Sequence, residues 1–203
     1  MKTFDISSYR ALSDQEIAQL QSQGCTAADW GSICVSADFR AGNIRQVNFS
    51  GKVYIGNNVT LLQVGNICGQ GATAFGNGDE IGVLKEDGGL EVIMYDELTS
   101  MEATLEVQEP SVKEKLHAHA LAYAEAMKME GVVIEDNAKV CNVRLLKNVH
   151  LGPCTTVEGA TRLVEVSVNS LPEAPSSIGD NVILEHVIVC SDSHIGDAAQ
   201  LDY

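Results

Sequence analysis

The chain has 203 residues, of which 45% are hydrophobic and 20% charged, so it can bury a substantial core and is not expected to be disordered. Its 28 Asp and Glu against 13 Lys and Arg give a net charge of −15, which argues against a surface that follows the phosphates of nucleic acid or anionic lipid. The sequence lacks both an apolar run of the roughly 18 residues that a membrane span needs and a secretory signal, so we expect a cytoplasmic protein with no nucleic-acid or membrane partner.

The six cysteines form no CxxC pair, the spacing that signals a zinc site or a thioredoxin-type redox motif. We expect reduced thiols that fill a packed interior, with a catalytic thiol as the competing interpretation, and no metal site. Only 5% of the residues are aromatic while glycine occurs 18 times, a balance typical of short repetitive strands joined by tight corners. The cysteines are Cys25, Cys34, Cys68, Cys141, Cys154 and Cys190.

The first predicted element is a short helix near the N-terminus. Ser13 and Glu16 have the spacing of a capping box, in which each side chain bonds the other residue's backbone N–H. Ile17 and Leu20 follow at helical spacing, and Gly24 is a typical stop. We expect this helix to cover the end of the repetitive core that follows, because a repeat array needs a cap over its apolar edge.

From about residue 33 onward, large aliphatic residues recur every six positions and are followed by Gly, Asn or Asp. The segments 44–56, 140–152 and 184–196 superpose without a gap at their apolar positions. Two-residue alternation places each apolar pair on one side of a very short strand, and the residue after it allows a bend. Such strands bury their aliphatic side only by stacking in parallel, coil upon coil, so the pattern predicts a parallel β-helix.

Four stretches of this repeat carry a resemblance to a known superfamily. They are IGNNVT at 55–60, LGPCTT at 151–156, IGDNVI at 178–183 and IGDAAQ at 195–200. These stretches resemble the hexapeptide repeats of the left-handed β-helix superfamily. The resemblance implies an all-β dominated fold in which three hexapeptides form one turn of a triangular prism, with left-handed crossovers that are an exception to the usual right-handed rule.

The whole chain is also similar to the N-terminal part of a bacterial left-handed β-helix family of unknown function, whose members are much longer. The residues that carry this similarity are 16–25, 29–30, 75–80 and 88–98. It implies that the last residues belong to an interrupted coil. We therefore expect either a truncated chain or a strand edge that a partner covers, because unpaired edges are usually protected.

An inserted arm interrupts the coils. The segments 80–84 and 90–95 flank a Gly-containing turn at 85–89, which predicts a β-hairpin. Helical spacing then predicts an amphipathic helix from residue 111 to about 129, ended by Gly131. Its apolar stripe consists of Val112, Leu116, Ala120, Tyr123 and Met127. A Pro-rich loop at 170–177 is a second, smaller insertion.

These elements predict four regions in the chain. They are an N-terminal capping helix segment at 1–32, β-helix coils at 33–72, an inserted β-hairpin and helices at 73–130, and β-helix coils, truncated at the C-terminus, at 131–203.

Three outward positions are the main candidates for chemistry. Tyr54, His150 and His194 occupy the same repeat position, just before the inward aliphatic residue, so alternation predicts an outward column. In acyltransferases with this fold a histidine acts as general base in a groove between subunits, so the resemblance implies that His150 and His194 are catalytic. The competing interpretation is that they are solvent-facing or interface histidines. The chain lacks the Asn-His and Asp-His-Pro motifs of two acetyltransferase groups, and fold analogy by itself is a weak argument for function.

Several other polar residues have structural interpretations. His117 and His119 are two positions apart and cannot share a metal from one helix face. The Gly-rich run at 65–71 lacks the βαβ context of a dinucleotide fingerprint, so we expect turns there. Corner carboxylates that bond turn amides are predicted at Asp136, Asp180 and Asp197. Basic side chains that could receive a ligand phosphate, or be ordinary surface charges, are Arg45, Arg144, Lys147 and Arg162.

Two hypotheses about function follow. The first is a transferase-like protein, resembling an acyltransferase or nucleotidyltransferase, that binds an acyl or activated-sugar substrate such as acetyl-CoA or a sugar nucleotide in clefts of a homotrimer. No other cofactor is implied. The second is a non-catalytic scaffold whose inserted arm binds a partner through an exposed stripe at Leu116, Tyr123 and Met127.

Overall fold

Short β-strands dominate the chain, as the six-residue pattern predicts. A computed structural model describes residues 5–83 and 90–202. The strands are β1 (Arg10–Ala11), β2 (Thr26–Ala27), β3 (Ile33–Val35), β4 (Ile44–Gly51), β5 (Val53–Ile55), β6 (Thr60–Gly69), β7 (Ala72–Thr73), β8 (Glu80–Gly82), β9 (Glu91–Ile93), β10 (Met129–Glu130), β11 (Val132–Ile134), β12 (Lys139–Cys141), β13 (Leu145–Leu151), β14 (Thr156–Glu158), β15 (Arg162–Val168), β16 (Ser177–Ile178), β17 (Ile183–Val189), β18 (His194–Ile195) and β19 (Gln200–Asp202). The α-helices of the described residues are α1 (Asp14–Ser22), α2 (Ser100–Gln108) and α3 (Pro110–Met127). Within these described ranges, none of the helices has both the length and the apolar character to span a bilayer.

The predicted N-terminal helix is present as α1. Its capping box is complete: the Glu16 N–H donates to Ser13 Oγ at 3.3 Å, and the Ser13 N–H donates to Glu16 Oε2 at 2.8 Å. Leu20 is fully buried in the main core. Gly24 follows the helix with a φ of +78°, a left-handed conformation that glycine adopts without a steric cost.

Fifteen strands form one mixed sheet in which nearly all ladders are parallel and only β1 and β3 pair antiparallel. The registers align the inward aliphatic residues in three columns. The first column is Val35, Ile55, Ile134, Leu151, Val168 and Val189. The second column is Ile44, Leu61, Val140, Val157, Ile178 and Ile195. The third column is Phe49, Ile67, Leu146, Leu163, Leu184 and Leu201.

Each passage of the chain visits the first, second and third columns in that order. The columns share one hydrophobic core, to which every member except Leu201 contributes. Leu201 is 41% exposed because it lies on β19, the last described strand. The six-residue period of the sequence is therefore the usual separation between the first and second columns and between the second and third. The step from the third column to the next residue of the first is five residues from Leu146 to Leu151 and from Leu163 to Val168.

The bends between columns use left-handed backbone conformations. Asn is the commonest residue at these positions because its side chain tolerates positive φ. The corner residues of this kind include Gln46, Asn58, Gln63, Asn137, Asn142, Asn148, Cys154, Glu165, Asn181, His186, Asp192 and Ala198. The prediction for the corner carboxylates is confirmed at two of them: Asp136 Oδ1 accepts from the Asn57 N–H at 2.7 Å, and Asp197 Oδ1 from the Asp180 N–H at 2.9 Å.

Two sequence predictions about the coils are wrong: one concerns the column that a residue joins, and the other concerns where turns lie. Ile44 and Val140 share the second column, but Leu184, superposed on them in sequence, lies in the third. The six-residue segments of the three columns have similar sequences, because each needs an inward aliphatic residue followed by a bend. Gly65 and Gly69 lie in β6 rather than in turns, and glycine is needed at Gly69 because a Cβ would lie 1.9 Å from the Lys52 carbonyl oxygen.

The inserted arm contains both predicted kinds of element. β8 and β9 pair antiparallel, while the predicted turn at 85–89 lies outside the described residues. β7 and β10 pair antiparallel where the arm leaves and rejoins the coils. α3 matches the predicted helix, whereas α2 was not predicted, although Thr99 and Glu102 form a capping box that the sequence contains.

The apolar stripe of α3 is packed inside the arm. Tyr123 and Met127 are 1% exposed and form a cluster with Ile93, Tyr95 and Ala120. The expectation of an exposed stripe that binds a partner is therefore wrong for these residues. β9 and Tyr95, which sequence periodicity could not place against the helix, supply part of the surface that covers it.

Candidate functional site

The two predicted catalytic histidines lie on different sides of the coils. Tyr54 and His150 share one column on the outer side of the first-column strands, as predicted, but His194 pairs with Ser177 on the outer side of the second. His194 is exposed, and its Nδ1 lies 2.7 Å from Ser177 Oγ. The outer column of the first side is Cys34, Tyr54, Val133, His150, Ser167 and Ile188.

His150 is fully buried although its side chain lies on the outer side of its strand. The ring of Phe75, from the inserted arm, lies 6.0 Å from the His150 ring between centroids. Phe75 also packs with Tyr54 and Val133 in a small cluster separate from the main core. The expectation that His150 faces solvent is therefore wrong, because the arm covers the outer column.

His150 is the centre of a hydrogen-bonded chain. Its Nε2 lies 2.6 Å from Glu135 Oε1, and its Nδ1 lies 3.2 Å from Ser167 Oγ. Ser167 Oγ in turn lies 3.3 Å from Asn169 Oδ1. Glu135 is the exposed end of this chain, with 30% of its side chain accessible, while His150 and Ser167 are inaccessible.

The chain accommodates both protonation states of His150. A neutral imidazole donates its Nε2–H to Glu135 and accepts the hydroxyl proton of Ser167 at Nδ1. A protonated imidazole donates from both nitrogens, and the Ser167 hydroxyl then rotates toward Asn169 Oδ1. The imidazole stays hydrogen-bonded at both nitrogens in either state, which fixes its orientation beside Glu135.

A cleft of about 530 Å³ opens at Glu135. Its lining includes Asp5 and Tyr9 of the N-terminal segment, Pro153, and Pro172 of the Pro-rich loop. Three carboxylates line it, those of Asp5, Glu135 and Asp136, and its described lining includes no Lys or Arg. Coulomb repulsion therefore disfavours a phosphate or carboxylate ligand and favours a neutral or cationic one.

Tyr9 supplies a hydroxyl group to the cleft. Burial raises the pKa of Tyr9 to about 12, and the negative charges of Glu135 and Asp136 contribute to the rise. The Tyr9 ring is held edge-on against the Tyr54 ring at a centroid distance of 5.6 Å. Tyr9 therefore keeps its proton at neutral pH and can donate a hydrogen bond to a ligand oxygen.

Asp136 has a structural role at the edge of the cleft. Its carboxylate accepts from the Asn57 N–H and, at 3.0 Å, from Asn57 Nδ2. Asn57 Oδ1 in turn accepts from Ser36 Oγ at 2.7 Å. These bonds tie adjacent coils together and occupy the Asp136 carboxylate with backbone and amide donors.

Sequence reasoning did not single out three residues of this site. Glu135 follows the first-column residue Ile134 directly, at the place where the chain bends. This position could have identified Glu135 from the sequence. Tyr9 lies outside the repeat, and Phe75 lies in the arm, so no spacing relates either to His150. Neither predicted histidine is in the described lining of the cleft, but His150 is hydrogen-bonded to Glu135, which is.

Comparisons with known proteins give one family. A family model described as "Domain of unknown function (DUF4954)" matches residues 9–65 and 54–203 of the chain. Neither the curated proteins nor the solved structures contain a match. The predicted similarity to a family of unknown function is in accord with this match.

Proposed function

The chain belongs to the DUF4954 family, and on that premise we propose that it is a hexapeptide-repeat protein with a transferase-like acceptor site. In this proposal the coils at 33–72 and 131–203 form a left-handed parallel β-helix, and 73–130 is an insertion into it. The three columns around one core support the architecture, because a coil with three aliphatic sides closes as a triangular prism. The hexapeptide resemblance supplies the handedness. The proposal keeps the cytoplasmic location that the sequence led us to expect.

The observation that carries the functional proposal is the Glu135–His150–Ser167 chain beside a concave cleft. Glu135 is the group that touches the acceptor: its carboxylate accepts a proton from a hydroxyl or an amine. His150 is a positioning residue, since it is fully buried and acts by orienting Glu135 and by stabilising its charge. Tyr9 donates a hydrogen bond that orients the acceptor.

The charge of the cleft narrows the acceptor to a small neutral or cationic molecule, such as a polyol, an amino sugar or an amine. An acyl donor such as acetyl-CoA, or a sugar nucleotide, carries several phosphates, which fit poorly beside three carboxylates. The proposal therefore places the donor phosphates outside this cleft, in a groove between the subunits of a homotrimer. Sedimentation equilibrium tests the trimer directly, and a monomeric mass would remove this part of the proposal.

Ser167 does not serve as a nucleophile in this proposal, although it lies beside a histidine that is paired with a carboxylate. Its side chain is fully buried, so a substrate carbonyl cannot approach Oγ. The step is a direct transfer. The acceptor oxygen or nitrogen forms a bond to the acyl or glycosyl carbon, the bond from that carbon to the donor's sulfur or phosphate oxygen breaks, and Glu135 takes the acceptor's proton.

Thermal-shift titration tests ligand binding. We expect neutral or cationic acceptors to raise the melting temperature by about 5 to 10 °C at a hundredfold excess over Kd, and phosphorylated analogues to have no effect. Glu135→Gln and Tyr9→Phe should abolish the shift, whereas Glu158→Gln, which changes an exposed carboxylate away from the cleft, should preserve it. A shift that survives Glu135→Gln would overturn this site.

Product analysis tests the chemistry. With acetyl-CoA and an acceptor that binds, we expect free thiol to be released and Glu135→Gln to lower kcat/KM at least about a hundredfold. His150→Gln should alter the pH profile of kcat while leaving the acceptor KM unchanged, which a merely structural role would not produce. His194→Gln is the matched control, because His194 is an exposed coil histidine outside the described lining.

The scaffold hypothesis is the second candidate. Its version with an exposed α3 stripe loses support because Tyr123 and Met127 are buried. Binding of acceptors without turnover of any donor would favour a non-catalytic binding module in which the same cleft holds the ligand.

A further inference from the structure

The inserted arm begins with a short segment that lies across the coils, residues 73–79, which we name the strap. Alternation places Tyr54, Val133 and His150 on the outer side of their strands, yet they are 7%, 2% and 0% exposed. Phe75 of the strap, itself fully buried, packs on this outer column. The strap therefore takes a surface that the coils alone would present to solvent and makes it part of the interior.

The backbone of the strap is held in an unfavourable conformation. Phe75 has a φ of +57°, a region that bulky side chains rarely adopt. Gly76 follows with a φ of +86° and lies against the coil, since a Cβ there would be 3.0 Å from the Glu165 carbonyl oxygen. Strain of this kind persists only where surrounding contacts hold it, so contacts at the two ends of the strap must supply the constraint.

Polar tethers hold both ends. At the start of the strap, Thr73 Oγ1 donates to Glu165 Oε2, and Asn148 Nδ2 donates to Glu165 Oε1 at 2.6 Å. At its end, Asp79 Oδ2 lies 2.9 Å from His186 Nδ1. The side chains of His186 and Asp79 are 39% and 29% exposed, so water can compete for this tether.

The strap is also connected to the rest of the arm. The Gly78 N–H donates to the Met94 carbonyl at 2.8 Å, next to β9. A Cβ at Gly78 would lie 2.9 Å from Ala124 Cβ of α3. Any movement of β9 and α3 relative to the coils therefore moves the strap with it.

We propose that the strap is a hinged cover over the outer face of His150, the imidazole that positions Glu135. Docked, it seals the outer face of His150 beneath Phe75 and leaves Glu135 open to the cleft. Undocked, it releases the strain at Phe75, breaks the Thr73 and Asp79 tethers, and opens the imidazole to solvent from the side of the outer column. This inference deepens the proposed function and rests on it, because it describes how solvent reaches the positioning residue of the same site.

Chemical labelling of histidines tests the cover on the full chain. Diethyl pyrocarbonate modifies accessible imidazoles, and peptide mass spectrometry gives the rate at each site. In the unaltered protein we expect exposed His194 to react at least about tenfold faster than His150. In the double variant Thr73→Val with Asp79→Asn, the His150 rate should rise about tenfold or more while the His194 rate stays constant. Glu158→Gln is the control and should change neither rate.

Two results would overturn the proposal: a His150 rate in the double variant equal to that of the unaltered protein, or rapid His150 labelling in both. Hydrogen exchange in the unaltered protein provides a measurement that needs no variant. The amide of Phe75, which is buried and donates to Thr73 Oγ1 in the docked strap, should exchange at least about tenfold faster than the ladder amides of β15. Equal protection would mean that the strap opens only when the coils unfold, and the cover would not operate.

The labelling experiment contains no ligand, so its outcome is independent of whether an acceptor binds. Failure of the thermal-shift titration with a positive labelling result would remove the proposed function and leave a hinged strap. Ligand binding together with an immobile strap would leave the acceptor site and remove the hinged cover.

Discussion

Glu16 binds two neighbours at the start of α1. Its carboxylate caps the helix through Ser13 and receives two guanidinium hydrogen bonds from Arg10, at 2.8 and 2.9 Å. The hydrogen bond from Arg10 lowers the pKa of Glu16 to about 2, and bonds from Ser13 add to this effect against partial burial. The folded pKa lies below the ordinary value of 4.5, so the stabilisation is present above pH 4.5 and disappears as the pH falls toward 2.

Glu16→Gln isolates the charge from the cap, because Gln at this position retains the bond to the Ser13 N–H. We expect the variant to lose about 1 kcal/mol of unfolding free energy at pH 7, since the ion pair is partly solvated, and to lose nothing at pH 2. Urea denaturation at the two pH values measures this. An equal loss at both would show that the charge is not responsible, and Glu158→Gln gives the background for an exposed acid.

His150 shows which property of a single residue the sequence can predict. Alternation correctly placed its side chain on the outer side of the strand, in the column of Tyr54. It could not predict burial, because Phe75 and Glu135 reach His150 from different directions and only the folded chain brings them together.

Among the elements, β6 shows why a glycine-rich run is ambiguous in a sequence. The run at 65–71 has the composition of a turn, yet most of it continues the strand. Gly69 lies where the backbone of Lys52 and Gly131 approaches most closely, and only a residue without Cβ fits there. The constraint comes from neighbouring coils, so local composition does not reveal it.

Gly69→Ala should be strongly destabilising, by about 3 kcal/mol or more, because its Cβ would overlap the Lys52 carbonyl oxygen at 1.9 Å. Gly196→Ala is the matched control: a Cβ there meets nothing within 4 Å, and we expect a change within about 0.5 kcal/mol. Chemical denaturation of both variants gives the comparison. Similar losses would show that backbone entropy, rather than close approach, determines the effect.

The sequence predicted α3 but not α2, and the reason is physical. α3 is long and its apolar residues recur at helical spacing, so its periodicity is clear. α2 has only nine residues, and its buried residue is Glu106, a carboxylate 1% exposed that accepts from the Ile93 N–H at 3.2 Å. A short helix that buries a polar group has no apolar residues at helical spacing. Its capping box at Thr99 was the feature of the sequence that could have predicted it.

At the scale of the whole molecule, the coils before and after the arm belong to one sheet. β11, which follows the arm, pairs with β5 before it and with β13 after it, both in parallel. β6 likewise pairs with β12 and β13. Each of the three columns therefore contains residues from before and after the arm, so the coils should unfold as one cooperative unit.

Trp30 packs against the core near the N-terminus, so its fluorescence reports on that end of the molecule. We expect this fluorescence to show the same denaturation midpoint as far-UV circular dichroism. Leu146→Ala, in the third column, should lower both midpoints together and cost about 2 to 5 kcal/mol. Leu121→Ala, 52% exposed on α3, should leave both nearly unchanged. Separate midpoints for the two signals would show that the segments fold independently.

The six-residue period alone predicted an inward aliphatic side and polar bends, because each of these depends on residues within six positions of one another. It predicted parallel strands because the same short segment recurs and can bury its aliphatic side only by stacking on its copies. It did not distinguish one side of the coil from another, so Leu184 was assigned to the wrong column. Tertiary structure decided which outward surface is covered, that a cleft forms between Tyr9 and Pro172, and that His150 is bonded to Glu135. The physical reason is that burial of an outward side chain depends on segments distant in sequence, and strand alternation contains no information about them.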